Sequence, residues 1–306
     1  MANPFRVSEA GVGGQIHGFR FRRLGKPEEF RQVLEVHRSV WGPESVEGVP
    51  ATVLRAVQDN GGLVLGAFAD IHLAGYTAAS LGWDGTKLYL YVHELAVRPE
   101  YQNHRIGTHL MRALREEVLG LGLGEVRLVY DPLQSRNAEL FVRRLGGRPD
   151  RYLHHYYGQL PDPVNRGLET DRLRVVWPLS DPRTVARIGG HLPGREAEHR
   201  RWSASAPIVV TEAGESGTRV PREVTEPDGP EANLEIPFDL DLVRQHEPKA
   251  LQSWRHATRD AFRVAQDLGY VVDDFAVVPQ EHERRAVYFL VRAATPEPPP
   301  PSGPPS

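Results

Sequence analysis

A strand that passes through a short polar turn into a helix places the strongest constraint on how this chain folds. Residues 88–97 (LYLYVHELAV) form an apolar and aromatic run typical of a strand, and Pro99 ends it. A helix is expected to begin near Arg105 and to end near Leu121. Backbone N–H groups at such a junction, together with the helix dipole, bind anions and suit a pyrophosphate group. The segment therefore indicates either a site for a phosphate-bearing cofactor or an ordinary strand-to-helix turn.

The rest of residues 1–180 alternates between strand and helix patterns. Further strands are expected at residues 16–24, 63–69, 73–83, 125–133, 151–157 and 173–179. Further helices are expected at residues 26–41, 52–58 and 135–145. This order predicts an α/β fold with a mixed central sheet flanked by helices, and residues 1–180 are expected to form one domain.

The second half of the chain has a different pattern. Residues 181–230 are rich in Gly, Pro, Ser and Glu and predict a linker or a long surface loop. Residues 231–294 predict a smaller α+β domain of β-α-β-β order, and residues 295–306 a disordered proline-rich tail. The helix at residues 248–268 has a broad apolar face beside few strands, so this domain is expected to pack against the first.

Composition excludes several classes of protein. The chain contains no cysteine, which excludes disulfides, thiolate metal sites and a cysteine nucleophile. Its formal charge of -3 gives no basic footprint for nucleic acid. No apolar segment is long enough for a membrane span, and the first residues do not resemble a signal peptide. We therefore expect a cytoplasmic protein without membrane or nucleic-acid partners.

The junction carries a motif that resembles a known family. It follows the pattern Leu95-Ala96-Val97-x-Pro99-x-x-Gln102-x-x-x-x-Gly107-x-x-Leu110. This is similar to the acyl-CoA-binding motif of the GCN5-related N-acetyltransferases (GNAT), in which the strand pairs with the pantetheine arm of coenzyme A (CoA). The resemblance implies acetyl-CoA or another acyl-CoA, including succinyl-CoA, as cosubstrate.

The resemblance also assigns roles to individual residues. It implies that the strand residues Leu95, Ala96 and Val97 lie along the pantetheine. The implied phosphate loop consists of Gln102, Asn103, His104, Arg105, Ile106, Gly107 and Thr108. Arg105 replaces the first glycine of the family pattern, which would cost about 1 kcal/mol if the loop needs a positive φ there.

The likeness extends over residues 16–157 and adds a second departure. Asn137 opens a helix similar to the family's Asn-x-x-Ala helix, where it is expected either to bind the cofactor or to order the turn. The tyrosine that often protonates the leaving thiolate falls at Val142. Motifs around Asp131, Tyr157 and Arg255 resemble a subfamily of large members with an added C-terminal half, which is linked to N-acylation of amino acids.

Two residues on the strand are candidates for the catalytic base. His93 lies two residues before Leu95, and its ordinary pKa near 6.5 suits removal of a proton from an ammonium group. Simple alternation places His93 on the face of Leu95 and Val97, and Glu94 on the other face. Glu94 is the alternative base, acting through water, and a satisfied core histidine remains the structural alternative for His93.

Other polar residues carry weaker signals. Arg136 is expected either to hold an acceptor carboxylate or to be a solvated surface arginine. His154-His155 and Asp273-Asp274 resemble metal ligands only superficially, because adjacent residues of a strand point to opposite faces. No metal site is predicted.

The sequence thus favours an N-acyltransferase that moves an acetyl or succinyl group from CoA to the amine of a small molecule, with an amino acid as the favoured acceptor. The absence of cysteine favours direct attack on the thioester. The alternative is a CoA-binding regulatory or structural protein with a decayed site. A homodimer is compatible with either function.

Overall fold

The structure is a computed structural model that describes residues 15–293 with the exception of residues 17, 44, 46, 216, 281 and 282. The tail expected at residues 295–306 lies outside the described residues. In the part of the chain that is described, no helix is both long enough and apolar enough to cross a membrane.

A mixed sheet of eight strands forms the centre of the first half. The strands are β1 (Gln15–Ile16), β2 (Phe19–Arg23), β3 (Leu63–Ala69), β4 (His72–Trp83), β5 (Leu88–Val97), β6 (Glu125–Tyr130), β7 (Arg148–Leu153) and β8 (Arg172–Pro178). Their spatial order is β1-β2-β3-β4-β5-β6-β8-β7. The neighbours pair antiparallel except for β5 and β6, which are parallel. The predicted mixed sheet is confirmed.

Helices cover both faces of this sheet. They are α1 (Pro27–Trp41), α2 (Ala51–Asp59), α3 (Ile106–Gly120) and α4 (Ser135–Ala138), which continues as a π-helix (Glu139–Arg144). α1 and α2 pack on one face through Phe30, Val33 and Leu54, and α3 packs on the other through Leu110 and Leu114. The sheet is therefore the middle layer of three.

One predicted strand is displaced. The strand expected at residues 151–157 spans Arg148–Leu153 instead, and residues 154–157 form a turn. His155 has a left-handed backbone with φ of 49°, and its N–H donates to Asp171 Oδ1 at 3.0 Å. This interaction with Asp171, which directly precedes β8, ends β7 early, and the local sequence does not show it.

Residues 181–230 correct the expectation of a linker or loop. They contain α5 (Pro182–Ile188), α6 (Arg195–Ala204), β9 (Ala206–Pro207), β10 (Val209–Ala213) and β11 (Arg219–Val224). α5 begins with proline at its first position, and the preceding Asp181 accepts a hydrogen bond from the N–H of Arg183 at 2.9 Å. The segment is polar in composition, but Asp181 and Pro182 are ordinary signals for the start of a helix.

The remaining elements form a second sheet with two helices. They are β12 (Glu231–Ile236), α7 (Leu240–His246), α8 (Ala250–Asp267), β13 (Tyr270–Gln280) and β14 (Glu283–Arg292). The sheet order is β13-β14-β12-β9, so β9 from the expected linker is part of it. The order β12, α8, β13 and β14 follows the expected β-α-β-β pattern, with α7 as an additional short helix.

The two halves share one hydrophobic core. A single cluster of buried side chains includes residues of the first sheet, such as Leu128 and Tyr130, and residues of the second half, such as Trp254, Phe262 and Tyr288. The Tyr288 hydroxyl donates to the carbonyl oxygen of Pro132 at 2.9 Å and lies 3.0 Å from the Tyr130 hydroxyl. The predicted packing of the C-terminal segment against the first domain is confirmed.

A buried ion pair joins α8 to the end of β6. The Arg255 side chain is fully buried, and its two terminal nitrogens donate to the two carboxylate oxygens of Asp131 at 2.9 and 2.7 Å. Burial disfavours the charge of Arg255, but the pKa of its guanidinium is raised because Asp131 outweighs the loss of water. Each charge therefore depends on the other.

We predict that Arg255→Met lowers the free energy of unfolding by about 3 kcal/mol, because Asp131 then remains buried without its partner. The double variant Asp131→Leu/Arg255→Met should recover much of that loss, since no unpaired charge is left. Urea unfolding of the four members of this cycle measures both values. Additive losses in the double variant would show that the pair is not coupled.

Candidate active site

The parallel strands β5 and β6 separate shortly after they meet. Their ladder contains only the pairs Leu90 with Val126 and Tyr91 with Arg127. Beyond these pairs β5 continues along β4 as far as Val97, and β6 continues along β8 as far as Tyr130. The backbone of β5 on the β6 side is therefore open over its last residues.

An open cleft of about 1040 Å³ lies where the strands separate. It is lined by twelve of the thirteen predicted site residues, which are His93, Glu94, Leu95, Ala96, Val97, Gln102, Asn103, Arg105, Ile106, Gly107, Thr108 and Asn137. The exception is His104, whose Nδ1 lies 2.9 Å from the carbonyl oxygen of Gln102. The structure thus brings the expected phosphate loop and both candidate bases to one cavity.

The loop between β5 and α3 is a tight turn with two left-handed residues. Asn103 has φ of 66° and Arg105 has φ of 58°. The Gln102 side chain donates to the carbonyl oxygen of Val97 at 3.1 Å and fastens the turn to the end of the strand. Arg105 therefore adopts the conformation that glycine favours, at a cost of about 1 kcal/mol.

The N-terminus of α3 is able to bind an anion. No side chain caps the helix at this end, and its first turn holds no acidic residue. At Gly107 a Cβ atom would meet Leu95 and Leu140 only at 3.7 Å, so the fold itself tolerates a side chain there. The missing side chain instead leaves the helix backbone accessible from the cleft. These residues fit a pyrophosphate group.

A β-bulge corrects the expected face of His93, while Glu94 lies opposite Leu95 as expected. The register with β4 shifts between Ala78 and Ala79, so that His93 is an extra residue on β5. His93 bonds to Ser80, and Glu94 bonds to Tyr76, which lies on the same face of β4 as Ser80. His93 and Glu94 therefore share the face toward α1, whereas Leu95 and Val97 pack on the α3 side.

Glu94 is held by two side chains that the sequence did not single out. Its carboxylate accepts a hydrogen bond from the Tyr76 hydroxyl at 2.5 Å, and Oε1 lies 3.4 Å from His37 Nδ1. Burial, together with the adjacent charge of Glu94, raises the pKa of Tyr76, so the phenol stays protonated and donates. His37 is buried and stacks on Trp41 with 4.5 Å between ring centres.

His93 contacts two side chains of the sheet. Its Nε2 lies 2.7 Å from the Ser80 hydroxyl, and its ring is 5.1 Å from that of Tyr91 in an edge arrangement. Burial lowers the pKa of His93, and the negative charge of Glu94 opposes that shift only in part. The imidazole is therefore neutral near pH 7 and able to accept a proton.

The segment between β7 and β8 forms the far wall of the cleft. Tyr157, Asp162, Asn165 and Arg172 line it, and only Tyr157 belonged to a segment that the sequence singled out. Burial raises the pKa of Tyr157, while its hydrogen bond with Tyr91 lowers it. Because these residues approach β5 only through long-range folding, no local pattern identifies them.

Two other predicted positions take different roles. Val142, at the position of the family tyrosine, is fully buried in the core and offers no phenol to the cleft. Arg136 is exposed at the cleft edge, with one guanidinium nitrogen 3.5 Å from Gln102 Oε1. The proton donor for a leaving thiolate is thus not supplied from position 142.

His154, Glu169 and Asp171 come close enough together to suggest a cation site. Arg259 already occupies it, since its guanidinium binds Glu169 and donates to both oxygens of Asp171 at 2.9 and 3.0 Å. Asp171 also accepts from the Tyr152 hydroxyl at 2.7 Å. The carboxylates are neutralised by Arg259, which argues against a metal there.

The pair Asp273-Asp274 is used in packing. Asp273 binds Arg183 and Arg201 at 3.1 and 2.7 Å, and Asp274 binds Arg183 and Arg187. Both carboxylates therefore join β13 to α5 and α6.

The open strand pair, the left-handed turn and the uncapped helix are features of an acyl-CoA-dependent N-acetyltransferase. Residues 30–146 match the model of the acetyltransferase (GNAT) family. This part of the chain therefore resembles a GNAT domain, and enzymes of that class use acyl-CoA as cosubstrate.

Solved structures with a similar outline have low sequence identity. The ribosomal-protein-S18-alanine N-acetyltransferase from Escherichia coli is 15% identical, with 53% of this chain and 95% of that chain covered and a TM-score of 0.42. Arabidopsis thaliana NAA60, solved with acetyl-CoA, is 17% identical over 52% and 99%, with a TM-score of 0.42. The aminoglycoside 6'-acetyltransferase type Ii is 18% identical over 53% and 97%, with a TM-score of 0.43. No curated protein sequence matches the chain.

Variants of Arg105 can distinguish the effect of its strained backbone on stability from the effect of its charge on CoA binding. We expect Arg105→Gly to be about 1 kcal/mol more stable than Arg105→Ala, because only glycine adopts φ of 58° without strain. Both variants lack the guanidinium and should bind CoA with equal, reduced affinity. Chemical unfolding and calorimetric titration with CoA measure the two effects. Equal stabilities would contradict the strained backbone.

Proposed function

We propose that the chain transfers an acetyl or succinyl group from CoA directly to the amine of a small molecule, with an amino acid as the favoured acceptor. The observation that carries this proposal is that one cleft contains both the uncapped turn of α3 and the pair His93 and Glu94. β5 leaves β6 after Tyr91, and its open edge runs from His93 and Glu94 toward the turn, so a thioester placed along β5 would be near both candidate bases.

The cosubstrate would be held mainly by backbone groups. The open edge of β5 at Leu95 and Val97 offers hydrogen bonds to the amides of pantetheine, and residues 105–108 offer N–H groups to the pyrophosphate. Asn137 lines the same cleft at the start of α4, where it would complete the binding site. These contacts favour the family's mode of binding.

The chemistry would follow from positioning and from one proton transfer. The acceptor nitrogen bonds to the thioester carbonyl carbon, the carbon–sulfur bond breaks, and the CoA thiolate leaves and takes up a proton. His93 would remove the proton of the attacking ammonium, with Glu94 as the alternative base. Backbone N–H groups near the end of β5 would polarise the carbonyl oxygen.

A CoA-binding protein without catalysis is the second candidate. Arg105 at the glycine position and Val142 at the tyrosine position are the observations that favour it. In both cases CoA should raise the melting temperature, because a ligand that binds only the folded state stabilises it by mass action.

Turnover separates the two candidates. We expect release of free thiol from acetyl-CoA or succinyl-CoA to depend on the presence of one or more members of an amino-acid panel, with the N-acyl product detected by mass spectrometry. A thermal shift with CoA but no amine-dependent release of thiol with either acyl donor would favour the regulatory protein.

The pH dependence of catalysis tests His93. We predict that His93→Ala lowers kcat by about two orders of magnitude or more while CoA affinity remains nearly unchanged. In the unaltered protein, kcat should fall as the pH decreases below the ordinary histidine value near 6.5, because the lowered pKa keeps His93 neutral above that value. Measuring both proteins with the same acceptor cancels the titration of the acceptor amine. An unchanged acid limb in His93→Ala would assign the base to Glu94.

A further inference from the structure

Arg172 lines the cleft at the start of β8. It is the first residue of β8, adjacent to the pair of Leu173 with Tyr130 that marks the end of β6. Its side chain lines the cleft although the residue is only 8% exposed. The guanidinium therefore lies across the opening from β5.

No carboxylate of the described part of the chain forms an ion pair with Arg172. One guanidinium nitrogen donates to the carbonyl oxygen of Asp171 and another to Asn165 Oδ1, both at 2.9 Å. Among the described residues three arginines are buried, and the other two bind carboxylates, Arg187 with Asp274 and Arg255 with Asp131. Burial lowers the pKa of Arg172, although the charge of Asp131 opposes that shift. A buried cation without an ion pair is costly unless a ligand completes it.

The acidic residues around Arg172 are engaged elsewhere. Both oxygens of Asp131 accept from Arg255. Asp162 is separated from Arg172 by Asn165, whose side-chain nitrogen donates to the two Asp162 oxygens at 3.1 and 2.8 Å. Asn165 thus keeps the Asp162 carboxylate near Arg172 but out of direct contact with it. The Arg172 guanidinium is therefore able to bind a carboxylate that enters the cleft.

A row of aromatic rings connects Arg172 to the candidate base. The guanidinium carbon is 5.2 Å from the centre of the Tyr157 ring. Burial and the nearby Tyr157 raise the pKa of the Tyr91 phenol, and the Tyr91 ring lies 5.1 Å from that of His93. A molecule lying along this wall would meet a cation at one end and a proton acceptor at the other.

We propose that Arg172 binds the carboxylate of the acceptor and thereby selects amino acids over amines that lack this group. This inference rests on the proposed acyl transfer, because it names the acceptor class of the same cleft. A guanidinium binds a carboxylate in a planar, two-point geometry, which would fix the direction of the neighbouring amine toward His93 and Glu94.

The test compares an amino acid with its carboxamide and with the corresponding decarboxylated amine as acceptors. In the unaltered protein, kcat/KM for the amino acid should exceed that for the other two by about 10- to 100-fold, the range expected for a hydrogen bond between charged groups. Arg172→Gln should remove this preference by raising the KM for the amino acid. The KM for the amine and the affinity for CoA should be unchanged.

Two further variants control the experiment. Arg172→Lys keeps the charge without the two-point geometry and should give an intermediate KM, and it serves in place of Arg172→Gln if that variant does not fold. Arg151→Gln removes an exposed arginine from the neighbouring strand β7 and should leave all three acceptors unaffected.

The outcomes distinguish this inference from the proposed function. Equal kcat/KM for the amino acid and its amide would overturn the role of Arg172 while acyl transfer stands. Transfer to none of the amines, by a protein that binds acyl-CoA, would overturn the proposed function. In that case, an amino acid that stabilises the CoA complex against heat through its carboxylate, but not in Arg172→Gln, would still support an anion site at Arg172. If the amino acid gives no such stabilisation, the anion site is refuted.

Discussion

The separation of β5 from β6 is the constraint on which the rest of the site depends. Two strands that pair over only two residues leave backbone N–H and C=O groups without a ladder, and such groups are costly if they are buried. Here they face an open cleft, where water or a ligand can satisfy them. The outer neighbours maintain the separation, because β4 pairs with β5 as far as its last residue and β8 pairs with β6 as far as its end.

The local part of this arrangement could be predicted from the sequence. Strand β5, the turn and α3 are adjacent in the chain, so an apolar run, Pro99 and the amphipathic pattern were sufficient to define them. Twelve of the thirteen candidate residues, taken from this motif, from the strand before it and from the start of α4, line the cleft. Because Arg105 stands where the family pattern has glycine, the sequence also raised the question of a positive φ at this residue, and the structure has one.

What the sequence could not provide are features that arise between distant segments. The bulge at His93 is a property of the register with β4, so alternation along β5 alone assigned the wrong face to His93, whereas Glu94 lies opposite Leu95 as alternation predicts. Tyr76 and His37 reach Glu94 from other elements. Residues 181–230 have the composition of a loop, yet the ion pairs of Arg183, Arg187 and Arg201 with β13 stabilise their helices against the second sheet.

The shared core has a consequence for how the protein is made. Tyr130 and Tyr288 touch across 158 positions of sequence, so a nascent chain emerging from the ribosome completes the first sheet long before its packing partners exist. During that interval the apolar face that α8 and β14 later cover stays exposed to other chains. The partly made chain is therefore exposed to aggregation until its second half is synthesised, and chaperones that bind apolar surface would act on it at that stage.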